Sequence, residues 1–188
     1  MLTNKHKAAR LAFAKEHIDW DLNQWERVLW TDEASIKCGW FGQVYVTRTV
    51  GEELLEDCLT ARFRKYSSLM IWAAISLKKA WGMHMFEQGG VNGQRYREEI
   101  LPLLNEIRCN FIIENDGEEL IFMQDNALIH KAHATIELLN QMGLIRIDWP
   151  ANSPDLNPIE NLWSMLKDRI GKHFPKTREE VITAVQQE

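Results

Sequence analysis

The chain has 188 residues, 45% apolar and 26% charged, a balance that fits one globular domain and excludes a low-complexity or disordered chain. Its formal charge is −5, which is not the balance of a uniformly basic nucleic-acid binder. The longest largely apolar run, Leu69–Leu77, is too short to span a membrane, and no apolar run follows the charged N-terminus as a secretory signal would require.

The acidic excess is local. Residues 28–160 carry 19 acids against 12 bases, whereas 1–27 and 161–188 each carry five bases against four acids. A solvated acidic surface accounts for most of these charges; the sharper alternative is that a few carboxylates converge on a divalent cation. Cys38, Cys58 and Cys109 are widely spaced and odd in number, which offers neither a disulfide framework nor a CxxC knuckle and fits a reducing compartment.

In chain order, residues 5–17 read as a short basic helix whose apolar positions are too mixed to fix one face, and Asp21 caps a turn through Trp25. Val28–Thr31 is a short buried strand that ends at Asp32 and Glu33. Residues 43–48 alternate as a strand, and 51–66 read as loop or short helix. Leu69–Leu77 is a strand, 78–82 a turn and Met83–Glu87 its hairpin partner, followed by a break at 89–93. Arg95–Ile107 is helical with an interruption at Pro102. Leu120–Gln124 is a short apolar strand that ends at Asp125. Ile129, Ala132, Ile136 and Leu139 recur at helical spacing, with Gly143 as the C-cap. Leu144–Trp149 is the next strand, 150–158 a turn-rich loop, and Ile159, Leu162, Trp163, Leu166 and Ile170 a final helical face closed by Gly171. A hairpin followed by βαβα units predicts an α/β fold, a mixed sheet flanked by helices, with the strands starting at Leu120 and Leu144 parallel.

Three carboxylates occupy informative places. Asp32 follows the first buried strand, Asp125 follows the strand at Leu120, and Glu160 opens the last helix. Strand C-terminal ends and helix N-termini meet at one edge of an open sheet, where sites tend to form. Three acids brought together there repel one another, and a hard divalent cation removes that repulsion. Two ions about 3.5–4 Å apart would clamp the attacking and leaving oxygens of a phosphodiester displacement. Each acid also has a plainer reading: Asp32 as a turn residue, Asp125 as an N-cap, and Glu160 as the N3 member of a capping box opened by Asn157 and Pro158. Asp155 competes with Glu160 as the third acid. His133 makes an HxxH pair with His130 but has no further zinc ligands in sequence. Trp40, Trp81 and the basic cluster Arg62, Arg64 and Lys65 are candidate DNA contacts, with packing or solvation as the alternatives.

The stretches WTDEA (30–34), MQDNALIH (123–130) and WPANSPDLNPIENLW (149–163) together resemble the catalytic domain of Tc/mariner-superfamily DNA transposases, which carries Asp, Asp and Glu on an RNase H-like fold. Thirty-four residues separate Asp125 from Glu160, the spacing of that superfamily's best-known branch. The resemblance extends from about Lys5 to Lys167. It implies that Asp32, Asp125 and Glu160 bind two Mg²⁺ or Mn²⁺ ions, with Asn126, His130 and Asp155 as auxiliary candidates. It further implies DNA cleavage and strand transfer at terminal inverted repeats, TA target sites, a homodimer, a nuclear setting and no membrane partner. Relatives often carry Pro and Thr where this chain has Leu128 and Lys131, and Gly in place of Ala73; no acid is lost. By the same resemblance, 1–27 is the remnant of a linker after a missing helix-turn-helix region, 28–175 the catalytic domain and 176–188 a truncated C-terminal helix. A catalytically silent or domesticated fragment acting through protein contacts, and another RNase H-like nuclease, are the alternatives.

Overall fold

A computed structural model describes residues 2–37, 51, 68–87 and 89–188. The expectations for 43–48, for the rest of 51–66, for Trp40 and for Arg62, Arg64 and Lys65 lie outside these residues. The chain divides into two compact units, Met1–Ala34 with Met70–Trp163, and Ser35–Leu69 with Ser164–Glu188.

The first unit is built on a five-stranded sheet in the order β3-β2-β1-β4-β5. Its strands are β1 (Val28–Lys37), β2 (Ser68–Ile75), β3 (Ala80–Phe86), β4 (Ile121–Met123) and β5 (Ile145–Arg146). β2 and β3 form the expected antiparallel hairpin, and β4 is parallel to both β1 and β5. The hairpin turns earlier than expected. Ser76 N–H donates to Lys79 O at 2.9 Å, so β3 already begins at Ala80. Trp81 therefore lies on a strand and not in a loop. Its Nε1–H donates to Ser76 Oγ, Lys79 Nζ covers its ring at 3.7 Å, and it packs on Phe111, so its π faces are spent on intramolecular contacts.

Strand alternation sorts the core onto two faces. Leu29 of β1 and Phe122 of β4 join Trp72, Tyr96, Leu104, Ile107 and Leu139 on one face. Val28, Trp30 and Met123 join Phe13 and Trp149 on the other, with Trp20 and Trp25 packed against them. The second cluster draws on α1 (Asn4–Glu16) and α2 (Leu22–Glu26), the latter capped by Asp21. Residues 1–27, expected as a linker remnant, thus contribute core aromatics; Phe13 is the one buried side chain of α1, in keeping with its mixed face.

The helix expected over 95–107 runs from Gly93 to Glu114 as α3 (Gly93–Arg95), a π turn (Tyr96–Ile100) and α4 (Leu101–Glu114). Pro102 does not break it. The π turn shifts the bonding so that Leu101 N–H reaches Tyr96 O, which opens the backbone one residue before the proline ring would crowd the preceding turn. The helix expected from Ile129 to Leu139 is divided by extended Ala132 into α5 (Leu128–Lys131) and α6 (His133–Gln141); Gly143, at φ +67°, ends it as expected. The strand expected over Leu144–Trp149 is a strand only at Ile145–Arg146, with Ile147 N–H still donating to Phe122 O at 3.0 Å, and its remainder joins the long loop.

The last helix of that unit's sequence is the start of α7 (Ile159–Lys172), which passes Gly171 before the chain turns at Phe174, φ +48°. In the second unit, Thr177 caps α8 (Arg178–Gln187), which buries Val181, Ala184 and Val185, and Glu188 pairs with Arg169 and His173. No helix among the described residues is long and apolar enough to cross a membrane.

Candidate active site

The parallel register of β1 and β4 ends at Trp30 opposite Met123. Two residues further along each chain stand Asp32 and Asp125. Asp32 lies inside β1, not after it, because β1 continues to Lys37. Three side-chain bonds tie the surrounding segments together. Thr31 Oγ1 donates to Met123 O at 2.7 Å, Asn126 Nδ2 to Trp149 O at 2.7 Å, and Asn157 Nδ2 to Thr31 O at 3.4 Å. They draw the ends of β1 and β4, the 149–158 loop and the start of α7 to one edge. Asp32, Asp125, Asn126, Lys131, Asn157 and Glu160 line a single cleft there.

Glu160 lies in the first turn of α7, yet it does not complete the expected capping box. Asn157 Oδ1 accepts from Ile159 N–H, but Asn157 N–H donates to Pro154 O instead of to the glutamate. Among the described residues the Glu160 carboxylate makes no hydrogen bond, and it lies exposed in the cleft. Three residues on, Trp163 of the same helix face donates Nε1–H to Asp32 Oδ2 at 3.0 Å. Trp163, expected only to pack, thus also orients a carboxylate; its i+3 relation to Glu160 was the available signal.

Asp32 and Asp125 differ in their surroundings. Burial pushes the Asp32 pKa up to about 7, and the neighbouring charges of Glu33 and Glu160 add to the rise; the Trp163 bond opposes it. Asp125 is held below the usual carboxylate range, first by the His130 hydrogen bond and then by Ala127 N–H. His130 Nδ1 donates to Asp125 Oδ1 at 2.8 Å, and Ala127 N–H donates to the same oxygen at 2.8 Å. Oδ2 is left without a hydrogen bond among the described residues. His130 Nε2 faces Glu33 Oε1 at 3.3 Å. Burial alone would lower the His130 pKa, but its bonds to Asp125 and Glu33 outweigh it and raise the value to about 9. His133 is exposed on α6 and does not share this arrangement, so the HxxH pair does not converge.

Asp155 is engaged away from the other acids. Arg10 of α1 makes a bidentate pair with it at 2.7 and 2.5 Å, which lowers its pKa and withdraws it as a competitor of Glu160. Among the described residues no three His, Cys, Asp or Glu side chains draw close enough to form a closed metal cage. The donor set nevertheless fits a hard cation. Asp125 Oδ2 and Glu160 have oxygens free, and Asp32 is destabilised as an anion by acids that a divalent charge would neutralise.

Comparison with known proteins agrees with the architecture. The family of DDE superfamily endonucleases matches residues 27–182. The transposable element Tc1 transposase of Caenorhabditis elegans is 28% identical over 173 residues, covering 90% of this chain and 61% of that protein. The chain therefore spans about three fifths of that relative's length. Among solved structures, a Mos1 transposase paired-end complex with left transposon end superposes with a TM-score of 0.74 at 18% identity, over 100% of this chain and 55% of that one. The Mos1 transposase catalytic domain with raltegravir and Mg gives 0.71 at 15% identity, over 100% and 83%. These likenesses establish the RNase H-like fold expected from the motifs, and the chain belongs to the DDE superfamily endonucleases.

Proposed function

We propose that the chain is the catalytic part of a transposase that cuts DNA and transfers the freed strand with divalent metal ions. The observation that carries this reading is the shared cleft of Asp32, Asp125 and Glu160, in which burial and neighbouring acids push Asp32 up to about 7. In this reading Asp32, Asp125 and Glu160 hold two Mg²⁺ or Mn²⁺ ions. When bound, the ions supply positive charge that activates the attacking oxygen and stabilises the leaving one.

The protein's own groups prepare that chemistry. Trp163 and the paired His130 and Ala127 N–H orient Asp32 and Asp125 before anything binds, so little reorganisation remains at the moment of reaction. Lys131 and the side-chain amide of Asn126 line the same cleft as partners for a phosphodiester. Water attacks in the cleavage step, breaking a P–O bond and freeing a 3′-hydroxyl. That hydroxyl then attacks a target phosphodiester, forming a new P–O bond as the target strand's 3′-oxygen leaves and takes up a proton, so no covalent protein–DNA intermediate is needed. The Tc1 relative and the Mos1 complex with a transposon end support terminal inverted repeats as the DNA substrate. TA target sites, a dimeric assembly and a nuclear setting complete the reading by family resemblance.

The test is nicking of supercoiled plasmid by the purified chain in Mn²⁺. Conversion to the nicked form by the parent, and its loss in Glu160→Gln, is the expected result. Equal nicking by the variant would remove Glu160 from the site.

A further inference from the structure

One largely enclosed acid beside the cleft is not among the three that hold the ions in the reading above. Glu33 follows Asp32, and strand alternation sends it to the opposite face of β1. Its side chain is only 12% exposed, and its Oε1 lies 3.3 Å from His130 Nε2. The His130 side chain is 3% exposed, and its other ring nitrogen reaches Asp125 Oδ1 at 2.8 Å. Tyr96, delivered by the π turn, packs against the imidazole with ring centroids 4.7 Å apart. Its hydroxyl donates to Oε1 of Gln124, the residue before Asp125, at 3.1 Å.

We propose that Glu33 is a positioning residue for the reaction, acting through His130 on Asp125. By accepting from Nε2–H it fixes the imidazole so that Nδ1–H fastens Asp125 Oδ1, which leaves Oδ2 as the oxygen turned to a divalent ion. The inference rests on the reading of Asp125 as a metal ligand. Its logic is geometric. Asp125 sits on an exposed loop, where the Ala127 N–H bond alone leaves its carboxylate free to swing. A second bond from a ring that is itself anchored at both nitrogens removes that freedom. Groups that orient a ligand in this way are worth about 10- to 100-fold in metal affinity. Tyr96 packs on one side of the ring, the Asp125 backbone carbonyl lies 3.3 Å from Nδ1, and among the described residues Glu33 is the partner that holds Nε2.

The test compares the full chain with Glu33→Gln, which keeps an acceptor for Nε2–H, and with Glu33→Leu, which fills the space without one. In the metal-free protein, ¹⁵N NMR of the histidine rings, assigned with His130→Gln, is expected to show protected Nδ1–H and Nε2–H signals for His130. They persist in Glu33→Gln and vanish in Glu33→Leu. A calorimetric Mn²⁺ titration is then expected to give a Kd near the parent's for Glu33→Gln and about 10-fold weaker for Glu33→Leu. Unchanged ring signals, or an unchanged Kd, in Glu33→Leu overturn the proposal. If Glu33→Leu fails to fold, the parent's spectrum decides, because an Nε2 bearing no hydrogen is not held by Glu33. A parent that binds no Mn²⁺ overturns the ligand reading of Asp125 instead, while the ring signals still decide what holds His130.

Discussion

Asp32 and Asp125 stand at matching positions on two parallel neighbours, yet the protein treats them in opposite ways. Asp32 is largely taken out of water and set near Glu33 and Glu160, and the Glu33 backbone N–H and the Trp163 indole N–H offset this only in part, so its pKa rises to about 7. Asp125 is exposed and receives a histidine and a backbone N–H on one oxygen, so its pKa falls. One acid is poised and strained as an anion, the other fixed and stabilised as one. A divalent cation relieves the first and is received by the second. The contrast follows from which face each neighbour occupies: Trp163 reaches Asp32, and Glu33, one residue on, turns away to support the Asp125 side.

The contrast can be broken most severely by neutralising either acid. Asp32→Asn and Asp125→Asn are each expected to lower Mn²⁺-dependent nicking by at least about 10²–10³-fold, the scale of losing a transition-state stabiliser. Near-parental nicking by either variant would contradict the shared site. Without metal the same two variants should part company. Asp32 keeps its proton in the folded state to a higher pH than its ordinary value of 3.8, so stability falls as pH rises from about 4 through 7. Above that window the penalty is at most about 4 kcal/mol, less what solvent screens, and Asp32→Asn is expected to recover much of it. Asp125→Asn is expected to destabilise instead. The lowered acid contributes stability that is present above about pH 4 and lost as pH falls; the raised histidine contributes stability that is full below about pH 6.5 and lost as pH climbs through about 9; the variant removes the carboxylate partner of a buried imidazolium. Urea unfolding at pH 8 with chelator distinguishes the two, and the same sign for both would break the comparison.

Smaller effects sharpen it. Trp163→Phe removes the N–H that lowers the Asp32 pKa, so the metal-free stability loss should shift to lower stability above pH 4 and its midpoint to higher pH, measured by thermal melts across pH. Arg10→Ala releases Asp155 and the 149–158 loop from α1, and at high salt is expected to leave the melting temperature almost unchanged while slightly weakening DNA cleavage. A large loss of stability would mean that the pair holds the loop more firmly than an exposed ion pair should.

The sheet and its edge were legible in the sequence because short apolar runs ending in acids carry both period and position. β1, the β2–β3 hairpin, β4 and the start of α7 fall where those runs predict. Boundaries moved where tertiary bonding overrode local pattern: β1 continues past Asp32, and only two residues of the Leu144–Trp149 run find a strand partner. The π turn before Pro102 has no signature in residue periodicity. That the three acids come to one cleft was legible through motif and spacing, but the groups that set their charge were not. Glu33 and His130 are 97 residues apart, and Trp163 meets Asp32 across 131. Such partners are chosen by which sheet face a residue occupies, which a motif does not state. Asp155 illustrates the converse: it lies closer in sequence to Glu160 than either Asp32 or Asp125 does, but a helix from the N-terminus claims it.

The most direct test of the central claim is a calorimetric Mn²⁺ titration of the purified chain beside Asp125→Asn. The account predicts saturable binding in the parent that is lost in the variant, with the parent's thermal stability rising on Mn²⁺ addition. Binding of equal strength in both proteins, or none in the parent, would contradict a metal site built on Asp32, Asp125 and Glu160.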